Sequence, residues 1–236
     1  AEFHRRRADI EQAAVASLPA ARGQRRARSP DPAAVLLFAP GPRSRLWERR
    51  RWDPDFLELR LGTSDLSSDV VVKDPTREQH EGPLRWTAPD VPVVVPLAPT
   101  AVLGVCGTRE ECLSTTSWLV AQIAALHSPT DASLWIFTYG AHAEAWEWTK
   151  WLPHARTTED HPRAARLALD ENDRSSMISE LSAIVDARKE LDTNEREALP
   201  SIVVVLDGAR ELRMAPGMTS LLKSGAFVHV YFVCLD

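Results

Sequence analysis

The sequence predicts an α/β fold, a parallel sheet with helices on both faces, preceded by a smaller α+β segment. Three observations carry this. From residue 100 onward, short Val/Ile/Leu-rich runs alternate with longer segments of helical composition. Runs such as Ile202–Leu206 lack apolar/polar alternation, so both of their faces are buried, as in parallel sheets covered by helices. The chain is 236 residues long and 44% hydrophobic, enough for a sizeable core.

Taken in order, His4–Ala16 has helical composition, and Pro19 and Gly23 are expected to end it. Ser29-Pro30-Asp31-Pro32 supplies a turn and a cap for a helix over Ala33–Ala39. Arg45–Arg51 is a short helical candidate that Asp53-Pro54 breaks. Phe56–Gly62 reads as a strand, Val70–Lys73 as a second short one, and the polar residues 74–90 as a loop. Val91–Leu97 contains Pro92 and Pro96 and suits only an edge strand. Beyond it, Val102–Cys106, Ser133–Tyr139, Ile202–Leu206 and Phe227–Leu235 are the expected strands. Glu110–His127, the Trp-rich Ala141–Leu152, Asp173–Leu191 and Met218–Lys223 are the expected helices, and Arg163–Leu169 suits a strand or a short helix. This divides the chain into a helix and linker (1–28), a small α+β segment (29–90) and the sheet domain (91–236).

The net charge of −5 hides an asymmetry: residues 1–52 carry 12 Lys/Arg against 5 Asp/Glu, and the remainder carries 16 against 28. The acidic sheet domain is a poor surface for gripping a phosphate backbone, which speaks against nucleic acid as a partner. The arginine runs 5–7, 25–26 and 49–51 suit a solvated arm or a face docked on acidic groups. Cysteines 106, 112 and 234 show no metal-ligand spacing and no secreted disulfide framework. Neither a signal peptide nor an apolar run near the ~20 residues of a membrane span is present in the sequence.

The stretch Thr100–Ala125 has the layout strand, glycine turn, helix, which is how a phosphate-binding loop G-x-x-x-x-G-K-[ST] is built. Counted from Gly104, the positions for Gly, Lys and Ser/Thr fall on Arg109, Glu110 and Glu111, with Gly107 inside the turn. Two carboxylates at a helix N-terminus suit the helix dipole but repel a triphosphate, and Arg109 adds a side chain where glycine lets the backbone close on a ligand. The second motif is Pro200–Asp207, an apolar strand ending in Asp, the arrangement that presents a Mg²⁺-holding carboxylate beside a phosphate loop. Gly208 stands where a catalytic Glu would follow, and the nearest acid is Glu211. No catalytic residue and no metal ligand set is expected. His154 after Pro153 suits a hydrogen-bonded structural role, while Arg156 and Arg188 are candidates for contacts between subunits.

The order of these features resembles the FtsK/SpoIIIE family: glycine turn and helix, Leu152-Pro153-His154, the Arg-bearing helix ending Val185–Lys189, Leu199–Asp207 and Val228–Val233. Upstream, Pro30-Asp31-Pro32, Leu46–Arg50 and Asp53–Gly62 look like the region after the membrane helices of EccC/EssC-type proteins of type VII (ESX) secretion, as do Trp146–Arg156 and Val204–Gly208. The resemblance implies a RecA/FtsK-like three-layer domain preceded by a small stalk-proximal segment. It implies the first ATPase-like domain after the stalk, on the cytoplasmic face of the cell membrane. Its partners would be other domains of the same motor and membrane subunits of the secretion system, hexameric in the full assembly, with the isolated fragment a monomer. The departures at Arg109, Glu110, Glu111 and Gly208 lead to the expectation of no cofactor and no turnover. The alternative is a Mg-ATP site completed by a neighbouring subunit, or a fragment of a DNA translocase.

Overall fold

The computed structural model describes residues 2–72, 84–157 and 164–236. Contacts divide it into two units, residues 1–34 with 60–94 and residues 35–59 with 95–236, which is a different division from cuts after 28 and 90.

The larger unit is built on five parallel strands: β3 (Val102–Val105), β4 (Ala132–Phe137), β5 (Leu167–Ala168), β6 (Ser201–Asp207) and β7 (Val230–Leu235). Their order across the sheet is β3-β7-β6-β4-β5. Register follows from pairs such as Val204 with Trp135 on one side and Phe232 on the other. The absence of alternation in β6 has the expected cause. Val203 and Val205 enter one core cluster, Ile202, Val204 and Leu206 the other, and all five are at most 3% exposed. The first cluster is closed by α4 (Arg109–Leu126; α3 is the short Leu97–Thr100) through Cys112, Leu119, Val120 and Ile123. The second is closed by α5 (Glu171–Lys189) through Met177, Ile178, Leu181 and Val185, and by Met218 and Leu221 of a later short helix. Spacings of three and four put each set on one helical face.

Several elements differ from the sequence reading. Arg45–Arg51 forms turns and an isolated bridge from Arg49 to His127 in place of a helix. The reason is long-range. Trp47 N–H donates to Ala125 O and Arg49 N–H to Leu126 O, both at 2.9 Å, so the segment is stitched along the end of α4. Ala141–Leu152 is a 3-10 helix over Gly140–Trp151, whose three-residue repeat stacks Trp146 and Thr149, both fully buried, on one side. The last strand starts at Val230, because Gly225–Val228 is a 3-10 turn ending at His229 with φ 62°.

In the smaller unit, α1 runs from Glu2 to Arg28, straight through Pro19 and Gly23. Proline inside a helix costs about 3 kcal/mol. Side-chain ties farther along offset this: Arg22 and Arg26 bind Asp90, and Arg25 grips both oxygens of Asp69. These aspartates sit on a two-stranded sheet of β1 (Glu58–Val72) and β2 (Leu84–Pro96). The expected loop 74–90 and edge strand are thus one long strand from residue 84, while residues 73–83 lie outside the described part, as does Arg163. Helix α2 (Pro32–Phe38) opens with Asp31 Oδ1 accepting from Ala34 N–H at 2.8 Å; from Val35 on it belongs to the larger unit, where Val35 and Phe38 are buried against Ala125 and Leu126.

Candidate functional site

The carboxyl ends of β3, β4, β6 and β7 meet where Asp207, Gly208, Tyr139 and Asp236 lie, the edge at which open α/β sheets place ligands. One strand, β7, separates the turn after β3 from Asp207 at the end of β6.

That turn is three residues long, Cys106 to Thr108, because β3 ends at Val105 and α4 begins at Arg109. Gly104 lies inside β3, opposite Cys234. Thr108 caps α4 in a capping box: Glu111 Oε2 accepts from the Thr108 N–H at 2.9 Å and its hydroxyl at 2.8 Å. These bonds from Thr108 hold the Glu111 carboxyl below its ordinary pKa. The carboxylate folds back over the turn so closely that a Cβ on Gly107 would stand 3.1 Å from Oε2. Glu110 sits exposed in the same first turn of the helix.

Asp207 is fully buried, and its carboxylate is filled from several directions. Arg109 makes a bidentate pair with it: Nη2 donates to Oδ2 at 2.7 Å and Nη1 donates to Oδ1. The indole N–H of Trp146 donates to Oδ2 at 2.7 Å, and the Thr138 hydroxyl reaches the same atom at 3.5 Å. His142 Nδ1 stands 3.6 Å from Oδ1. The hydrogen bond to Asp207 raises the pKa of Arg109 against the opposing effect of burial. The structure therefore brings Arg109 and Asp207 into direct contact and places Glu110, Glu111 and Gly107 at the helix start above them.

Gly208 follows with φ 89°, and a Cβ there would lie 2.6 Å from the Tyr139 ring, so the position demands glycine for both conformation and space. Burial, with Glu211 as the next cause, raises the Tyr139 phenol pKa. A hollow of about 380 Å³ opens beside Asp207, bordered by Tyr139, Arg210, Glu211 and Asp236. Trp146 and His142 were not singled out as partners of this carboxylate by the sequence; the Trp-x-Trp pattern was the only signal near them.

The opposite edge of the sheet is closed by two further clusters that ordinary spacing does not disclose. Asp131, fully buried, accepts from Arg50 Nε at 2.6 Å and Arg51 Nε at 2.8 Å. Burial pushes its pKa up, but the two guanidiniums outweigh this and leave it lowered. His127 accepts the Leu57 N–H on Nε2 at 3.0 Å and reaches Ile123 O with Nδ1 at 3.3 Å. It is neutral, its pKa pushed down to about 3 by burial and by Arg49. His154 Nε2 contacts His127 O at 2.8 Å, a structural role. Arg188, a candidate for a contact between subunits, is instead buried and donates to Val228 O and Pro200 O, both at 2.9 Å. Among the described residues no His/Cys/Asp/Glu group could hold a metal ion, and no helix is long and apolar enough to cross a membrane.

No protein-family model matches the chain. Among curated proteins, it is 28% identical over 207 residues to the ESX secretion system protein EccC of Thermomonospora curvata, covering 81% of this chain and 16% of that protein. It is 30% identical over 195 residues to the ESX-3 secretion system protein EccC3 of Mycobacterium tuberculosis, covering 75% of this chain and 14% of that one. It therefore spans about a sixth or less of the length of these relatives. Among solved structures, EssC (ATPases 2 and 3) from Geobacillus thermodenitrificans superposes with a TM-score of 0.52 at 16% identity, over 83% of this chain and 36% of that one, which supports the fold. Sequence relatives and fold agree with the motifs read at the outset: the chain belongs to the EccC/EssC-type proteins of type VII (ESX) secretion, as one FtsK-like α/β domain.

Proposed function

We propose that this domain is a nucleotide-silent module of a type VII secretion motor, the first ATPase-like domain after the membrane stalk. It works on the cytoplasmic face and couples the membrane anchor to downstream ATPase domains through packing surfaces. The observation that carries the reading is the bidentate closure of Asp207 by Arg109. A strand-end carboxylate that would hold Mg²⁺ already holds a guanidinium from its own chain. The residues around it do not fit a Mg-nucleotide: the turn before α4 spans three residues, and the Thr108 N–H is spent on Glu111. The domain's partners are other domains of the same motor and membrane subunits of the secretion system, in a hexamer, and nucleic acid is not among them. Isothermal titration of Mg-ATP into the chain is expected to give no saturable heat, and micromolar binding refutes the reading.

A second reading keeps Asp207 as part of an ATPase completed by a neighbouring subunit. The open hollow beside Asp207, bordered by Arg109 and Arg210, is what favours it. In that case Mg-ATP turnover by the assembled protein disappears in Asp207→Asn, and an assembly without turnover dismisses it.

A further inference from the structure

The Asp207 carboxylate has one guanidinium seated and an imidazole nitrogen beside it. His142 Nδ1 is buried without a hydrogen-bond partner and points at Asp207 Oδ1 from 3.6 Å, just beyond bonding distance. The His142 side chain is 39% exposed, and a small movement would bring this nitrogen within bonding distance of the fully buried carboxylate. Water reaches the guanidinium end of the pair, because the Arg109 side chain is 38% exposed while that of Asp207 is 0% exposed.

Arg109 also has somewhere to go. Two hollows flank it, one of about 380 Å³ that contains Asp207 and one of about 340 Å³ that does not. Among the described residues, Arg109 and His142 are the ones that line both. The second hollow is bordered by Glu144, an exposed carboxylate with no basic partner among the described residues. His142, Glu144 and Trp146 all belong to the Gly140–Trp151 stretch, twelve residues of 3-10 helix. Runs of this geometry beyond three or four residues are uncommon.

We propose that Arg109 is a swinging latch: it exchanges Asp207 for Glu144, and His142 closes onto Asp207 as it leaves. The exchange joins the two hollows into one cleft at the carboxyl edge of the sheet. The latch rests on the geometry around Asp207 and holds whether or not the domain binds a nucleotide.

Trp146 reports on the exchange because its indole N–H is bonded to Asp207. The chain labelled with 5-fluorotryptophan gives eight fluorine resonances, and Trp146→Phe assigns the relevant one. In the wild type this resonance is expected to show millisecond relaxation dispersion. Glu144→Gln, a surface change that leaves the fold intact, removes the alternative acceptor and is expected to suppress the dispersion at least threefold. Arg109→Gln is expected to move the resonance toward the minor state. A Trp146 resonance without dispersion in the wild type, or with dispersion unchanged in Glu144→Gln, overturns the proposal.

Discussion

Replacing Arg109 by Ala tests the closed carboxylate directly. Asp207 would remain buried and lose its bidentate partner, keeping Trp146 and Thr138 as donors with His142 Nδ1 3.6 Å away as the replacement within reach. Breaking a buried pair by removing one partner costs about 3–5 kcal/mol. Because the Arg109 side chain is 38% exposed, water reaches its end of the pair, and the expected loss falls to about 2–3 kcal/mol. Asp207→Asn alone keeps one acceptor oxygen and turns an NH2 donor toward the other, so the bidentate pair is lost, and it is expected to cost about 1–2 kcal/mol. The double variant removes the buried charge, so it is expected to be more stable than Arg109→Ala by at least ~1 kcal/mol, a coupling typical of contacting residues. Equilibrium urea unfolding followed by tryptophan fluorescence measures all four corners of the cycle. A loss below ~0.5 kcal/mol in Arg109→Ala, or a double variant no better than the single, would mean that the pair is ornamental.

Other outcomes follow from the same structure. His127 is held neutral with its folded pKa near 3, while the unfolded chain titrates near 6.5. Its contribution is complete above the unfolded pKa and is lost as pH falls, at about 1.4 kcal/mol per pH unit. The urea midpoint is expected to drop from pH 6.5 to pH 5, and His127→Gln should flatten that slope. Thr108→Ala removes the capping box and is expected to cost ~1 kcal/mol, with little change if Glu111 caps α4 without it. Gly208→Ala forces a Cβ into the Tyr139 ring at a positive φ and is expected to cost at least ~2 kcal/mol, whereas Gly41→Ala, with open space around it, is expected to be near neutral.

The sheet was legible because its strands are apolar on both faces, and Ile202–Leu206 needs no partner to be recognised as buried. Asp207 was legible for the same reason, as the first charge after such a run. Its occupant was not. Arg109 lies 98 residues away and Trp146 61, and nothing local to either announces the meeting. The Trp-rich segment reads as an α-helix by composition, yet it takes a three-residue repeat that stacks Trp146 over Thr149. Pro19 misled in the opposite direction, because a helix break is a local rule and the ties from Arg22, Arg25 and Arg26 are not local. Arg49–Arg51 reads equally as a solvated arm or as a face docked on acidic groups; the structure shows the docked form, with Arg49 2% exposed and Arg50 and Arg51 sharing Asp131.

The stitched segment after α2 also decides how a free-standing version of the larger unit has to be cut. A fragment begun at Val91, where the composition changes, would strip Asp131 of both guanidiniums and leave the Nε2 lone pair of His127 without its donor. Leu57 O accepts from Leu97 N–H at 2.9 Å, so the chain leaves for the ribbon of residues 60–94 and returns from it at neighbouring points. A short glycine-serine splice between residues 59 and 95 would excise the ribbon and keep those anchors. Spatial neighbours, more than chain order, set the excision points for engineering this domain.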